Sequence, residues 1–169
     1  MRRMTLRDVP AVRSVVRAGY EFLSEKEGFS PKQRRRLQEE RCSAEWIEKQ
    51  FMRCHSFVAV SGKEIVGVVA VDGAEIAELF VAPSHHRRGI GARLFREAEL
   101  AIADSGHNRL EVSTTGYAVP FYEAMGAKVT GPDIVLDGPL AGWHCTCLSK
   151  DLRKEQRTVP PSQGPKPTI

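Results

Sequence analysis

The first quarter of the chain shows apolar residues at the three- to four-residue spacing of an amphipathic helix. This helix is predicted to follow a short strand over Met1–Thr5, with Thr5 as its N-cap, and to end near Leu23. Its apolar positions are Val9, Val12, Val15, Val16, Phe22 and Leu23. Ser30 and Ser43 are the predicted caps of two further helices. The chain therefore begins with helices that each bury one face.

The middle of the chain changes to the β-rich pattern of strands. Strands are predicted over 56–60, 64–71 and 75–81. The segments Ser61-Gly62-Lys63 and Asp72-Gly73 have the composition of tight turns, which join neighbouring strands antiparallel. These three strands are therefore expected to form a meander rather than parallel units with helical crossovers.

The remaining elements alternate between helix and strand. In order, they are a long helix over 89–105, a strand over 110–113, a short helix over 119–125, a weaker strand over 128–130 and a last strand over 143–148. This order, without an internal repeat or a linker, predicts a single mixed α/β domain over residues 1–152. The Pro-rich segment 153–169 has no periodic apolar face and is predicted to be a mobile tail.

Size and charge narrow the function classes. A chain of 169 residues has the size of one domain, and its net charge of +4 favours an acidic ligand. The longest apolar run, Ile65–Val71, is too short for a membrane helix. No apolar stretch follows Arg2 and Arg3, so the start does not resemble a secretory signal, and the start of the domain is favoured over a mitochondrial presequence. We therefore expect a cytoplasmic protein without a membrane partner.

Two groups of residues have specialised interpretations that the composition disfavours. The basic run Arg34–Arg36 is followed by Glu39 and Glu40 and lacks a motif with interleaved aromatic residues, so a solvated helix face is favoured over a nucleic-acid site. The cysteines lack the paired spacing of zinc ligands, so buried reduced thiols are favoured and no metal site is expected. They are Cys42, Cys54, Cys145 and Cys147.

The segment between the third strand and the long helix has the composition of a phosphate-binding loop. The first amides of a helix lack intrahelical acceptors and, with the helix dipole, favour an anion. Gly89 and Gly91 permit close backbone approach, and Arg87 and Arg88 add positive charge. A pyrophosphate is the expected ligand. A dinucleotide fingerprint would require a third glycine where Leu94 stands, and the preceding meander also disfavours it.

Two motifs resemble those of the GNAT superfamily of N-acetyltransferases. The segment His86-Arg87-Arg88-Gly89-Ile90-Gly91 resembles the acyl-CoA motif Q/R-x-x-G-x-G/A, with His86 in place of Gln or Arg. A second segment is similar to the pattern N-x-x-A-x-x-x-Y-x-x-x-G-F, from which it departs at Thr115 and Ala127. The matching residues are Ala118, Tyr122 and Gly126. The resemblance implies a central sheet of about six to seven strands flanked by helices.

This resemblance implies acetyl transfer with acetyl-CoA as co-substrate. It implies that the backbone of Leu79 and Val81 pairs with the pantetheine arm and that the amide of Leu79 or Phe80 holds the thioester carbonyl. By position in the motifs, it assigns acetyl-CoA binding to Leu79, Phe80, Val81, His86, Arg87, Arg88, Gly89, Ile90, Gly91, Ala92 and Thr115.

The resemblance implies Tyr122 as the acid that protonates the departing thiolate, and it leaves the base open. Glu75 and Glu78 are both candidates, and a chain of water molecules is a third possibility. The two glutamates are an odd number of residues apart on one predicted strand, so they are expected on opposite faces of the sheet.

The acceptor is expected to be the amine of a small molecule or a protein, bound by the first helices and the loop 131–142. Candidate contacts are Tyr20, Glu21, Glu25, Phe29 and Trp46. A monomer and a homodimer are both compatible with the pattern. The alternative function is an acyl-CoA-binding regulatory module without turnover, which the departures at His86, Thr115 and Ala127 permit and the retained Tyr122 disfavours.

Overall fold

The N-terminal helices follow the predicted pattern in the computed structural model, which describes residues 1–131 and 133–153. The first three helices are α1 (Val9–Glu27), α2 (Pro31–Arg41) and α3 (Ala44–Arg53). The predicted capping residue Thr5 forms a capping box with Asp8 in the 3-10 turn before α1, and Ser30 and Ser43 cap α2 and α3. Helix α1 continues one turn beyond Leu23. The predicted tail lies outside the described residues from position 154 onward.

The described residues form eight strands in one mixed sheet. The strands are β1 (Arg2–Arg3), β2 (His55–Ser61), β3 (Glu64–Asp72), β4 (Glu75–Val81), β5 (Arg109–Thr114), β6 (Lys128–Val129), β7 (Ile134–Val135) and β8 (His144–Asp151). Their order is β1-β2-β3-β4-β5-β8-β6, and β7 also pairs with β8. All neighbours are antiparallel except β4 and β5. The sequence missed only β7, inside the predicted loop 131–142.

Helices cover both faces of this sheet and bury a core on each side. Helices α1 to α3 pack on one face, where Val12, Val16, Leu37, Ile47 and Phe51 are buried. Helices α4 (Ile90–Asp104) and α5 (Val119–Ala124) cover the other face. Its buried residues include Leu94, Phe95, Ile102, Leu110 and Leu148. Each fully buried side chain of this size contributes about 1.5–3 kcal/mol, so the sheet is held from both sides.

The basic run on α2 is engaged in local helix contacts. The guanidinium of Arg34 donates to the carbonyl of Ser24, in the last turn of α1, at 3.1 Å and to that of Phe29, just after the helix, at 2.9 Å. Arg36 pairs with Glu40 one turn later on the same helix. These contacts favour the interpretation of the run as a helix face. In the described part of the chain, no helix is both long enough and apolar enough to cross a membrane.

A β-bulge in β4 changes the predicted orientation of its two glutamates. The pairing with β3 shifts at Ala77, which is the extra residue of the bulge. Glu75 lies opposite Asp72, and Glu78 lies opposite Ala70. Because these two partners are two residues apart, they share one face of β3, and Glu75 and Glu78 share it with them. The prediction that the glutamates lie on opposite faces is therefore wrong.

Strands β4 and β5 meet only where they begin. In the described residues, Glu75 and Glu111 are the one registered pair between them, and the Glu111 amide donates to the Ala74 carbonyl at 2.9 Å. Beyond this pair the two strands separate. The sheet is therefore open at its centre, and one backbone edge of β4 is left without a neighbouring strand.

Candidate active site

A cavity of about 890 Å³ lies where β4 and β5 separate. Elements from both faces of the sheet line it, together with the loop that follows β4. It brings together most of the predicted site residues, namely Glu78, Leu79, Phe80, Val81, His86, Arg87, Gly89, Ile90, Gly91, Ala92, Thr115 and Tyr122. Two predicted residues, Glu75 and Arg88, do not line the cavity. The cavity is therefore the candidate active site.

The open edge of β4 presents the backbone of Leu79 and Val81 to this cavity. The Ala82 amide donates to the Val66 carbonyl of β3 at 2.8 Å. Because successive residues of a strand direct their backbone groups to alternate edges, Phe80 also faces β3, whereas Leu79 and Val81 face the opposite, open edge. Of the two amides predicted to hold a thioester carbonyl, only that of Leu79 faces the open edge, and Phe80 contributes its ring to the cavity wall.

The loop after β4 turns sharply before α4 begins. Arg87 and Gly89 both adopt left-handed backbone conformations, with φ of 61° and 75°. The Arg93 amide donates to the Gly89 carbonyl at 3.1 Å as α4 starts. The helix amides before Arg93 therefore lack intrahelical acceptors and form a potential anion site at the cavity wall. These are the amides of Ile90, Gly91 and Ala92.

Gly91 also allows α4 to pack closely against α5. A Cβ at this position would lie 3.2 Å from the Phe121 ring. Phe121 in turn contacts Phe95 on α4 and Tyr122 beside it. The absence of a side chain at Gly91 therefore keeps the first turn of α4 open to the cavity and close to α5.

His86, which stands where GNAT relatives carry Gln or Arg, bonds to the end of β4. Its Nε2 atom lies 2.9 Å from the Val81 carbonyl oxygen, and because a carbonyl only accepts, Nε2 carries the proton. The imidazole edge also contacts the Phe22 ring at a centroid distance of 4.8 Å. His86 therefore connects the open edge of β4, the phosphate-type loop and α1.

Thr115 supplies a hydroxyl group without a partner in the described structure. The residue is only 5% exposed, lines the cavity, and its Oγ1 atom makes no hydrogen bond. A buried hydroxyl without a hydrogen bond costs about 1–3 kcal/mol. This orphaned atom indicates a polar ligand group, and it stands at the Asn position of the second GNAT motif.

Glu78 is the carboxylate that the bulge turns into the cavity. Protein surrounds it on most sides, and this desolvation raises its pKa to about 7 against the opposing effects of Arg41 and Tyr20. The like charge of Glu75 raises it further. Glu78 therefore exchanges its proton near neutral pH, as a general base must.

Helix α1 approaches β4 closely at Gly19 and Tyr20. A Cβ on Gly19 would clash with the Phe80 ring, so a larger residue would require the ring or the helix to move. The Tyr20 ring packs on Phe80 at a centroid distance of 4.8 Å. Burial and the charge of Glu78 hold the pKa of Tyr20 well above its usual value, so it remains a neutral donor.

Tyr122 faces the same cavity from α5. Burial raises its pKa above the ordinary value for a phenol, and the negative charge of Glu78 raises it further. Its ring packs against Phe95 and Phe121. The cavity thus holds a phenol that stays protonated and a carboxyl that titrates near neutrality, which are suitable properties for an acid and a base.

The structure places one of the five predicted acceptor contacts at the cavity and the other four outside it. Tyr20 lines the cavity, whereas Glu21 and Glu25 are exposed outside it, Phe29 packs on Trp143, and Trp46 lies beneath Arg41. Further acceptor-side residues lie in the predicted regions, the first helices and the loop 131–142, but sequence analysis did not name them individually. They are Phe22, Leu23, Leu37, Arg41, Leu136, Pro139 and Leu140. The apolar spacing of Phe22 and Leu23 indicated core positions, and no local motif marked Arg41.

Comparisons with known proteins agree with this geometry. Residues 25–141 match the family described as an acetyltransferase (GNAT) domain. A GCN5-related N-acetyltransferase from Rhodopseudomonas palustris has a TM-score of 0.81 at 18% identity, covering 89% of this chain and 93% of that chain. The PaiA N-acetyltransferase from Thermoplasma acidophilum, solved with coenzyme A, has a TM-score of 0.72 at 18% identity, covering 89% and 96%.

A third similar structure is an aminoglycoside 6′-N-acetyltransferase complexed with coenzyme A. Its TM-score is 0.60 at 18% identity, and the match covers 85% of this chain and 92% of that chain. At such identities these structures establish the fold. Because the family match extends over most of the chain, the protein belongs to the GNAT family of acetyltransferases, with acetyl-CoA as its co-substrate.

Proposed function

We propose that the protein transfers the acetyl group of acetyl-CoA to a primary amine, with Glu78 as the base and Tyr122 as the acid. The observation that supports this most directly is the placement of both groups on one cavity, beside the open edge of β4. Glu75, the other candidate base, is exposed and does not line that cavity. Although Glu75 lies on the same face of the sheet as Glu78, it does not reach the cavity.

The residues present fit acetyl-CoA. The open-edge backbone groups of Leu79 and the amide of Val81 suit a pantetheine arm, and the first-turn amides of α4 suit a pyrophosphate. Arg87 adds positive charge at the cavity, and the Thr115 hydroxyl offers an unused hydrogen bond. The bound co-substrate supplies an acetyl thioester, whose carbonyl oxygen the Leu79 amide would stabilise as negative charge develops.

Each proton movement is assigned to a residue of this chain. An amine arrives mostly as ammonium at neutral pH, and Glu78 accepts its proton, directly or through water. A C–N bond then forms as the C–S bond breaks. Tyr122 donates its proton to the departing sulfur, which leaves as a thiol. The attacking nitrogen then loses its second proton to Tyr122, directly or through water, which restores the phenol and leaves a neutral amide. Tyr20, whose ring packs on Phe80 beside Glu78, forms part of the environment of this base.

Binding of acetyl-CoA is tested with two substitutions at one glycine. Gly91→Ala requires Phe121 to shift by only a few tenths of an ångström, whereas Gly91→Glu adds a carboxylate to the anion site. We expect calorimetry to show acetyl-CoA affinity lowered by at least about 100-fold in the Glu variant and by under about 10-fold in the Ala variant, because like charges in a binding site cost several kcal/mol. Equal losses would show that packing, rather than anion binding, requires the glycine.

Turnover is tested by release of free CoA thiol across a panel of primary amines. Amine-dependent thiol release supports the proposal. Tight acetyl-CoA binding without thiol release with any amine would instead support the regulatory module. Thr115→Val sharpens the test, because removal of an orphaned buried hydroxyl should leave the melting temperature unchanged or raised while acetyl-CoA affinity falls. Thr130→Val, at an exposed position, is the matched control.

A further inference from the structure

The end of the cavity opposite the phosphate-type loop has an apolar wall made of two distant segments. Leu37 on α2 is buried, and α2 packs against the 3-10 turn Gly138–Leu140. Leu140 is buried in the same core, and Leu136 packs against it. All three leucines line the cavity. This end therefore accommodates an apolar group of the acceptor.

One fixed cation, Arg41 at the end of α2, lines this apolar end. Its guanidinium lies over the Trp46 ring at 5.1 Å from the centroid. A cation–π contact does not occupy the hydrogen-bonding fork of the guanidinium as a carboxylate would, so Arg41 can still bind a planar anion. Arg41 forms no salt bridge within the described residues, although its charge acts on both Glu78 and Tyr20.

The two other charged groups along this part of the wall are Glu78, on β4, and Asp137, which is exposed in the loop before the 3-10 turn. The site therefore combines a carboxylate suited to an amine, a cation suited to a carboxylate, and an apolar wall. A second positive charge on an acceptor would approach Arg41, and repulsion in a poorly solvated site disfavours it.

We propose that the acetyl acceptor is a free amino acid with a large apolar side chain. Its amino group would face Glu78, its carboxylate would bind Arg41, and its side chain would contact Leu37, Leu136 and Leu140. This inference rests on the proposed acetyl transfer to a primary amine. It excludes polyamines and aminoglycosides, which carry several positive charges, as preferred acceptors.

The test compares pairs of amines that differ in the carboxylate alone. Thiol release is measured with phenylalanine against phenethylamine and with leucine against isopentylamine, and spermidine represents polycations. We expect kcat/KM to be about 10- to 100-fold higher for each amino acid than for its decarboxylated partner, the usual value of a hydrogen bond to a charged group. Spermidine should be the poorest acceptor.

Arg41→Met retains much of the apolar stem and removes the charge. It should abolish the preference for phenylalanine over phenethylamine, and the readout is the ratio of the two kcat/KM values, because loss of the Arg41 charge also acts on Glu78 and therefore affects both amines. Arg35→Met, on the exposed face of α2, should leave the preference unchanged. Acetyl-CoA affinity and the melting temperature of each variant are measured beside turnover, and Arg41→Gln serves if the Met variant unfolds.

The outcomes separate this inference from the function on which it rests. Equal or better turnover of decarboxylated amines or spermidine by the wild type would overturn the inference and leave acetyl transfer intact. So would an Arg41→Met variant that loses activity equally on both members of a pair. Failure of all amines to release thiol would contradict the proposed function itself.

Discussion

The two ends of the cavity are built in different ways. The end formed by β4, the following loop and α4 presents backbone groups, in the open edge at Leu79 and Val81 and in the amides of the first turn of α4. The opposite end presents side chains from α1, α2 and the segment 134–140. Backbone groups are the same in every residue, so the first end suits a ligand shared by a whole family. Side chains vary with the sequence, so the second end suits an acceptor particular to this protein.

Glu78 and Tyr122 lie where the two ends meet. Tyr122 belongs to a short local motif, and Glu78 owes its position to a bulge. If the chemistry depends on these two side chains, substitutions there should affect turnover without affecting either binding function. Substitution of these two residues is therefore the most severe test of the division between the two ends of the cavity.

The largest expected effect is the loss of turnover in Tyr122→Phe. Removal of the hydroxyl removes the proton donor for the departing thiolate, so kcat should fall by about 10²- to 10⁴-fold, the usual contribution of general acid catalysis. Single-turnover kinetics at saturating acetyl-CoA measure this change. Acetyl-CoA affinity should stay within about threefold, because the ring still packs on Phe95 and Phe121.

Tyr117→Phe is the control for this substitution, because Tyr117 also lines the cavity but is 49% exposed. It should leave kcat unchanged. A Tyr122→Phe enzyme with near-normal kcat and a lowered melting temperature would show that Tyr122 supports the fold only.

Most of the fold was predictable because the hydrophobic pattern reports burial. The spacing of Val12, Val15 and Val16 predicted a helix on the sheet, and all three are buried. Turn residues at Gly62 and Gly73 predicted the meander, which the pairing of β2, β3 and β4 confirms. Local patterns of this kind require no knowledge of distant contacts.

The phosphate-type loop was predictable for a similar reason, whereas at the acceptor end only the contributing segments and Tyr20 were predicted. Glycines, arginines and a helix start are adjacent in sequence, so their chemistry is visible in one segment. Arg41, Leu37 and Leu140 come together only through the packing of α2 on the 3-10 turn after β7. The bulge at Ala77 is set by pairing with β3, so the alternation rule assigned Glu78 the wrong relation to Glu75.

The second prediction compares these two glutamates directly. Glu78→Gln should lower kcat/KM at neutral pH by about 10- to 100-fold, because a base that titrates near pH 7 is removed. Glu75→Gln should have less than a twofold effect, because Glu75 is exposed and outside the cavity. In the wild type, log kcat/KM should rise with pH until about pH 7. This rise should be absent from the profile of Glu78→Gln. Equal effects of the two substitutions would contradict the assignment.

The titration of Glu78 should also appear in the free energy of unfolding, which should fall over the pH range in which kcat/KM rises. The pKa of Glu78 is raised to about 7 in the folded protein, so the folded state holds this proton more tightly than the unfolded state. Its contribution to stability is therefore present below the carboxyl's unfolded pKa and is lost as pH rises toward 7. Between pH 4.5 and 7 the free energy of unfolding of Glu78→Gln should therefore fall by about 1–3 kcal/mol less than that of the wild type, measured by urea unfolding.

The smallest expected effect concerns His86, a side chain that bonds to the backbone end of the cavity. Its Nε2 proton holds the Val81 carbonyl at 2.9 Å, and its ring contacts Phe22. His86→Ala loses both contacts and should raise the KM for acetyl-CoA about 3- to 10-fold with kcat unchanged, since a single neutral hydrogen bond contributes about 1 kcal/mol. His86→Gln restores a donor and should have a smaller effect than His86→Ala. His85→Ala, which removes a neighbouring imidazole bonded to Ser84, should change KM by less than twofold. If His86→Ala lowered kcat and left KM unchanged, the residue would act in the chemical step. The division between an end that binds acetyl-CoA through backbone groups and an end that reacts through side chains would then not hold at this position.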